Sequence, residues 1–209
     1  MTLLDATSAP ATADRIARVP GPDGLDALRA PGIGAALWER RLPADAAAAL
    51  DAASPSALPA CRTTLAPADA AEAVAAAGRA AGTPEAAIAF LAADVAALAR
   101  RFSDLMAVAR LELRLAVVRR ATCPRWHADA VRARLLCAYR GAGTLIGPAG
   151  AGGAPTRIES LPRGTVAVLR GSAWPGAERT ALVHRSPAVE DETATRLLLA
   201  LDPDDEAST

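Results

Sequence analysis

The chain contains two histidines, and the residues around each suggest a chemical role. His127 is followed two positions later by Asp129, in CPRWHAD. Residues two apart in an extended segment point the same way, so one imidazole and one carboxylate converge on a point. His184 lies farther along, in TALVHRS, on a stretch that reads as another strand. Two imidazoles and a carboxylate on one face of a metal ion leave three positions open, the ligand set with which non-haem Fe(II) oxygenases admit a co-substrate and O2. A plainer reading stands beside it: H-x-D pairs arise often by chance, with His127 hydrogen-bonded to Asp129 and His184 on an unrelated strand. Arg196, in TRLLLALD, shares a strand face with Leu198 and Ala200. An arginine on an otherwise apolar face needs a carboxylate, which its planar fork holds bidentately, and a bound dicarboxylate would supply one. The alternative is an arginine exposed on a sheet edge.

These residues must be positioned by the elements around them. Residues 1–32 are rich in Ala, Pro, Gly and Asp, and PGPDG is dense turn chemistry, so loop or disorder is expected there. Ile33–Leu42 reads as a strand or a short helix, and Pro43 suits the first position of the helix that follows. Alanine gives residues 67–81 high helix propensity, and Gly82 stops that helix. Next comes the strongest helical pattern, with Thr83 as cap, Pro84 at the first position and a stripe of Ile88, Leu91, Val95, Leu98, Phe102 and Met106. From Leu111 the period changes to two, and strands are expected at 111–117, 131–140, 165–170, 180–185 and 195–202. The glycine-rich stretch at 141–155 lacks the GKS or GKT ending of a phosphate-binding loop. Helices followed by short strands imply an α+β protein whose strands close into a barrel or sandwich.

Composition narrows the function classes. The 209 residues hold 23 basic and 23 acidic side chains, with hydrophobic content of 52% and aromatic content of 3%. Lysine, asparagine and glutamine are absent, as expected of a GC-rich genome. Zero net charge removes the driving force for non-specific nucleic-acid or anionic-membrane binding. No secretory signal or membrane-spanning run is visible, so a cytoplasmic protein is expected. The three cysteines, Cys61, Cys123 and Cys137, are too few and too unevenly spaced for a disulfide framework.

The spacing H127-A-D129, then H184-R-S-P-A-V, then R196-L-L-L resembles the pattern of the Fe(II)/2-oxoglutarate-dependent dioxygenases. More closely, CPRWHADAVRARLLCAYRGAGT, LPRGTVAVLRGSAWPG, LVHRSPAV and RLLLALDP resemble an uncharacterised bacterial family, domain of unknown function 1826. The resemblance implies an α+β fold in which a helical N-terminal part packs on a double-stranded β-helix, a jelly-roll or cupin-like barrel. The chain divides into a disordered or loop segment at 1–32, a mainly helical part at 33–109, the double-stranded β-helix core at 110–203 and an acidic tail at 204–209. The resemblance also implies that His127, Asp129 and His184 bind Fe(II), that Arg196 holds the distal carboxylate of 2-oxoglutarate, and that the reaction hydroxylates a substrate the sequence does not identify. If the strand from Asp129 runs without a bulge, Tyr139 shares its face and adds a hydrogen bond to that carboxylate; otherwise it is a core aromatic. On the same alternation Trp126 points away from the ligands, and Arg132 and Arg134 fall on the opposite face, solvated or paired with acids.

A second function remains open on the same scaffold. Cys123 and Cys137 could add thiolates to His127, and thiolate with imidazole suits zinc, which would make a non-enzymatic zinc-handling protein.

Overall fold

In the computed structural model of the chain, residues 11–119, 124–187 and 195–205 are described. Strands β1 (Thr12–Ala13) and β2 (Arg15–Val19) lead through a 3-10 helix at Pro22–Arg29 to β3 (Ile33–Trp38). Then follow α1 (Ala44–Ala52), β4 (Cys61–Leu65), α2 (Ala70–Ala81) and α3 (Glu85–Met106). Strands dominate the rest of the chain: β5 (Leu111–Val118), β6 (Ala133–Arg140), β7 (Leu145–Pro148) and β8 (Glu159–Ser160). They continue with β9 (Val166–Arg170), β10 (Arg179–Thr180), β11 (Leu182–Arg185) and β12 (Arg196–Pro203).

One sheet has seven strands in the order β2-β3-β9-β6-β12-β5-β4, and a second has three in the order β11-β7-β8. Alternation along the central strands gives the large sheet two different faces. Leu113, Leu135 and Leu199 point to α3 and pack with its Leu91, Val95 and Phe102. Leu136, Leu169 and Ala200 point the other way and meet Ile146 and Leu182 of the small sheet. The protein is therefore a helix layer on a sheet on a second sheet. The expected closed barrel is not found: among the described residues the two sheets share no hydrogen-bonded edge. Side chains join the facing layers, and at their margin β1, which leads into β2, pairs in parallel with β10, which leads into β11.

The long helix forms over the expected residues. Its stripe is buried from Ile88 to Met106, and each fully buried Leu, Val or Phe contributes about 1.5–3 kcal/mol. Its start differs from the expected cap. Thr83 Oγ1 donates to the Ala57 carbonyl at 2.7 Å instead of closing the first turn, and the carbonyl of Pro84 accepts from the Ile88 amide at 3.0 Å. Gly82 ends α2 with a left-handed φ of 72°, the conformation glycine adopts without strain.

The segment expected as loop is ordered between residues 12 and 29. β2 runs parallel to β3, and Leu25 and Leu28 of the 3-10 helix are buried. Buried Arg170 fixes this segment by donating to the carbonyls of Leu28 and Ala30. These partners lie far from Arg170 in sequence, so turn composition masked the order. The large sheet also takes β3 and β4 from the part expected to be mainly helical. No helix among the described residues is long and apolar enough to cross a membrane.

Candidate metal centre

His127 and His184 are brought together by the main chain itself. The His127 amide donates to the His184 carbonyl at 3.1 Å and the His184 amide donates back to the His127 carbonyl at 2.9 Å. This isolated antiparallel bridge lies at the end of β11, where His184 alternates with buried Leu182. Their rings stand 4.4 Å apart, tilted by 48°.

Asp129 is held in place by the turn after β9. The Ser172 amide donates to its carbonyl at 2.8 Å, and the Gly171 and Ala173 amides donate to the carbonyls of Arg132 and Val131. A Cβ on Gly171 would lie 1.9 Å from the Val131 carbonyl oxygen and 2.7 Å from that of Asp129. Only glycine permits this approach, so Gly171 is part of the site's framework.

One nitrogen or oxygen from each of His127, Asp129 and His184 lies within 4.8 Å of the others. The Nδ1 of His127 donates to the Arg125 carbonyl at 2.9 Å, which turns its Nε2 toward the site, 3.7 Å from Asp129 Oδ1. Burial pushes the His184 imidazole down to about 4, partly offset by Asp129, and leaves it neutral at physiological pH. Its Nε2 lies 3.3 Å from Asp129 Oδ2, which is buried without a hydrogen bond. Two imidazoles and a carboxylate with a bare buried oxygen are a donor set that a divalent cation fits.

The other carboxylate oxygen is held by Arg134, which unbroken alternation from Asp129 would place on the opposite face. Its Nη1 donates to Asp129 Oδ1, while Nε and Nη2 fork onto Asp202 at 2.6 and 2.5 Å. The reason is local: β6 begins only at Ala133, and the bend at residues 130–132 shifts the parity. Asp202 could have signalled this partner. It alternates with Ala200 and Leu198 on one face of β12, where a carboxylate needs a cation.

The same shift removes Tyr139 from the site. It lies on the helix-facing side, fully buried, with its hydroxyl donating to Asp94 Oδ2 of α3 at 2.6 Å and Phe90 edge-on at 6.1 Å. Cys137 shares that layer, and burial pushes its thiol up to about 12. It is not brought to His127, and Cys123 lies outside the described residues. Arg196 is on the inward face of β12, 4% exposed. Its Nε donates to the Ala142 carbonyl at 2.6 Å, and its Nη2 is buried without a partner. Burial alone lowers its pKa, and no carboxylate among the described residues pairs with it.

A cleft of about 190 Å³ opens over His127 and His184, walled by Val118, Leu136 and Leu198. At its rim the Arg185 guanidinium sits 4.6 Å above the Trp126 ring.

The fold has a known counterpart. A dioxygenase for auxin oxidation from rice superposes with a TM-score of 0.51 at 16% identity, over 92% of this chain and 84% of that one. Two weaker likenesses are a Pseudomonas putida prolyl-4-hydroxylase (TM-score 0.44, 17% identity, 95% and 98% covered) and an Arabidopsis thaliana dioxygenase for auxin oxidation in complex with 2-oxoglutarate (0.46, 14%, 69% and 62%). No curated protein sequence matches the chain. The family model described as "Protein of unknown function (DUF1826)" matches residues 20–202, and the chain belongs to that family.

Proposed function

We propose that the protein is a non-haem Fe(II) oxygenase that uses 2-oxoglutarate and O2 to hydroxylate a small substrate. The observation that carries this reading is the convergence of His127, Asp129 and His184 beneath an open cleft. The shared fold with a dioxygenase is consistent with it. His127, Asp129 and His184 would hold the iron, which supplies the redox chemistry that side chains lack. Arg134 orients the Asp129 carboxylate, and the apolar walls of the cleft limit water. Arg196 would receive the distal carboxylate of 2-oxoglutarate, since its buried Nη2 has a donor to spare and no acid among the described residues pairs with it. A zinc-handling role through Cys137 is not favoured, because that thiol lies in the layer facing α3.

The test separates metal from co-substrate. Calorimetric titration of 2-oxoglutarate into the anaerobic Fe(II) or Mn(II) form should show binding to wild type. Stranding the distal carboxylate with Arg196→Leu costs about 3–5 kcal/mol, a loss of roughly two to three orders of magnitude in affinity, with metal affinity little changed. Arg196→Lys should recover only part, for lack of the fork. Equal 2-oxoglutarate affinity in wild type and Arg196→Leu would remove Arg196 from the co-substrate site, and no binding to wild type would remove that co-substrate. Succinate formation in air completes the assay.

A further inference from the structure

The charge of the cleft points to the class of substrate. Three of the residues lining it are arginines, Arg114, Arg134 and Arg185, and among the described residues no carboxylate lines it. Arg134 is committed to Asp202 and Asp129. The other two are not: among the described residues neither makes an ion pair. Arg114 stands on β5, half-buried, with Ala200 of β12 on one side and Arg62 of β4 on the other. Arg62 pairs with the neighbouring acid, Glu112, at 2.8 Å. Arg134 lies across β12 from Arg114, two strand spacings or roughly 10 Å away.

Arg185 is held in place with no acid paired to it among the described residues. Stacking on Trp126 holds its plane through the ring's quadrupole, and its Nε is buried with no hydrogen bond. A stacked guanidinium keeps its edge donors, in the geometry that matches a carboxylate or phosphate. Next to these cations Val118, Leu136 and Leu198 offer an apolar wall.

We infer that the cleft binds a small organic anion, an apolar carbon frame carrying one carboxylate or phosphate group that Arg114 and Arg185 hold between them over the metal centre. This rests on the oxygenase reading for its identity as substrate, but the anion site itself stands on two arginines that make no ion pair among the described residues.

The full chain, loaded with Mn(II) and 2-oxoglutarate under argon, is titrated with hexanoate, hexyl phosphate and, as the uncharged control, hexanol. Ligand-observed NMR and calorimetry read binding. At least one of the two anions should bind, and hexanol at least tenfold more weakly; which anion binds decides between carboxylate and phosphate. Arg114→Gln and Arg185→Gln should each weaken the anion at least tenfold and leave Mn(II) and 2-oxoglutarate affinities within twofold. Arg114→Lys and Arg185→Lys, which keep the charge, should retain part of the affinity and serve where a neutral variant does not fold. Wild-type anion affinity in either neutral variant overturns the two-arginine site. So does hexanol binding as well as the anions, or neither anion binding to wild type. Loss of 2-oxoglutarate in place of the anion would assign the arginines to the co-substrate and also overturn the proposal. If wild type takes no 2-oxoglutarate while the arginines still hold the anion, the oxygenase reading falls and the anion site remains.

Discussion

Asp129 answers to two different groups, and this division defines the site. One oxygen faces the Arg134 guanidinium; the other is buried beside His184 with no hydrogen bond. A carboxylate so arranged is held by one cation and open to another. His127→Ala, Asp129→Ala and His184→Ala should each abolish stoichiometric Mn(II) or Fe(II) binding in a folded protein, since each removes one of three ligands. Full occupancy in any two of these variants, measured by calorimetry or metal analysis, would rule out the triad. Arg134→Lys keeps a positive charge but loses the fork that joins Asp202 to Asp129. Outer-shell partners of this kind typically change metal affinity by about 10- to 100-fold, and a weakening near the lower end is expected in Mn(II) titration. Unchanged affinity would show that Asp129 orients without help. On the far side of the sheet, burial that pushes Cys137 up to about 12 makes it a poor nucleophile. Iodoacetamide at pH 8 should leave Cys137 unlabelled in the native protein and label it on unfolding, as peptide mass spectrometry would read.

Two elements set the distances between these residues. The turn after β9 anchors the Asp129 segment through Gly171, whose missing Cβ lets two carbonyls approach. Gly171→Ala should displace that segment and weaken metal binding more than it lowers the unfolding midpoint, a ratio that calorimetry and thermal melting measure together. A metal affinity equal to wild type would mean the turn is free to relax. Helix α3 supports the sheet from behind. Phe102 is 1% exposed there, and Phe102→Ala should cost about 3–5 kcal/mol, a large part of a domain's stability. Denaturant unfolding with an unchanged midpoint would show that α3 does not bear on the core.

At the scale of the whole molecule, the candidate metal centre joins the two sheets where the His127–His184 main-chain bridge already brings their segments together. Asp129 sits beside β6 of the large sheet, and His184 belongs to the small one. A cation bound to both ties the two layers together in the folded state alone. Saturating Mn(II) at about 100 times its dissociation constant adds about 2.7 kcal/mol, which for a chain of this size raises Tm by roughly 5–10 °C. The shift should vanish in Asp129→Ala. An equal shift in that variant would place the stabilising ion elsewhere.

Much of this was legible in the residues themselves. The period of α3, the switch to alternation at Leu111, the stop at Gly82 and the triad's residue types follow from side-chain sequence, because periodicity and ligand chemistry are local properties. The order of residues 12–29 was not legible, because Arg170 supplies it from a distant strand. Nor were the roles of Arg134 and Tyr139. Alternation assigns faces only while a strand runs unbroken, and the bend at 130–132 exchanged them, sending Arg134 to Asp129 and Tyr139 to Asp94. The open arrangement of the two sheets was likewise decided by packing, since an alternating pattern specifies which face is buried but not whether strand edges meet. Local chemistry thus selected the candidate ligands, and long-range pairing determined which of their neighbours would hold them.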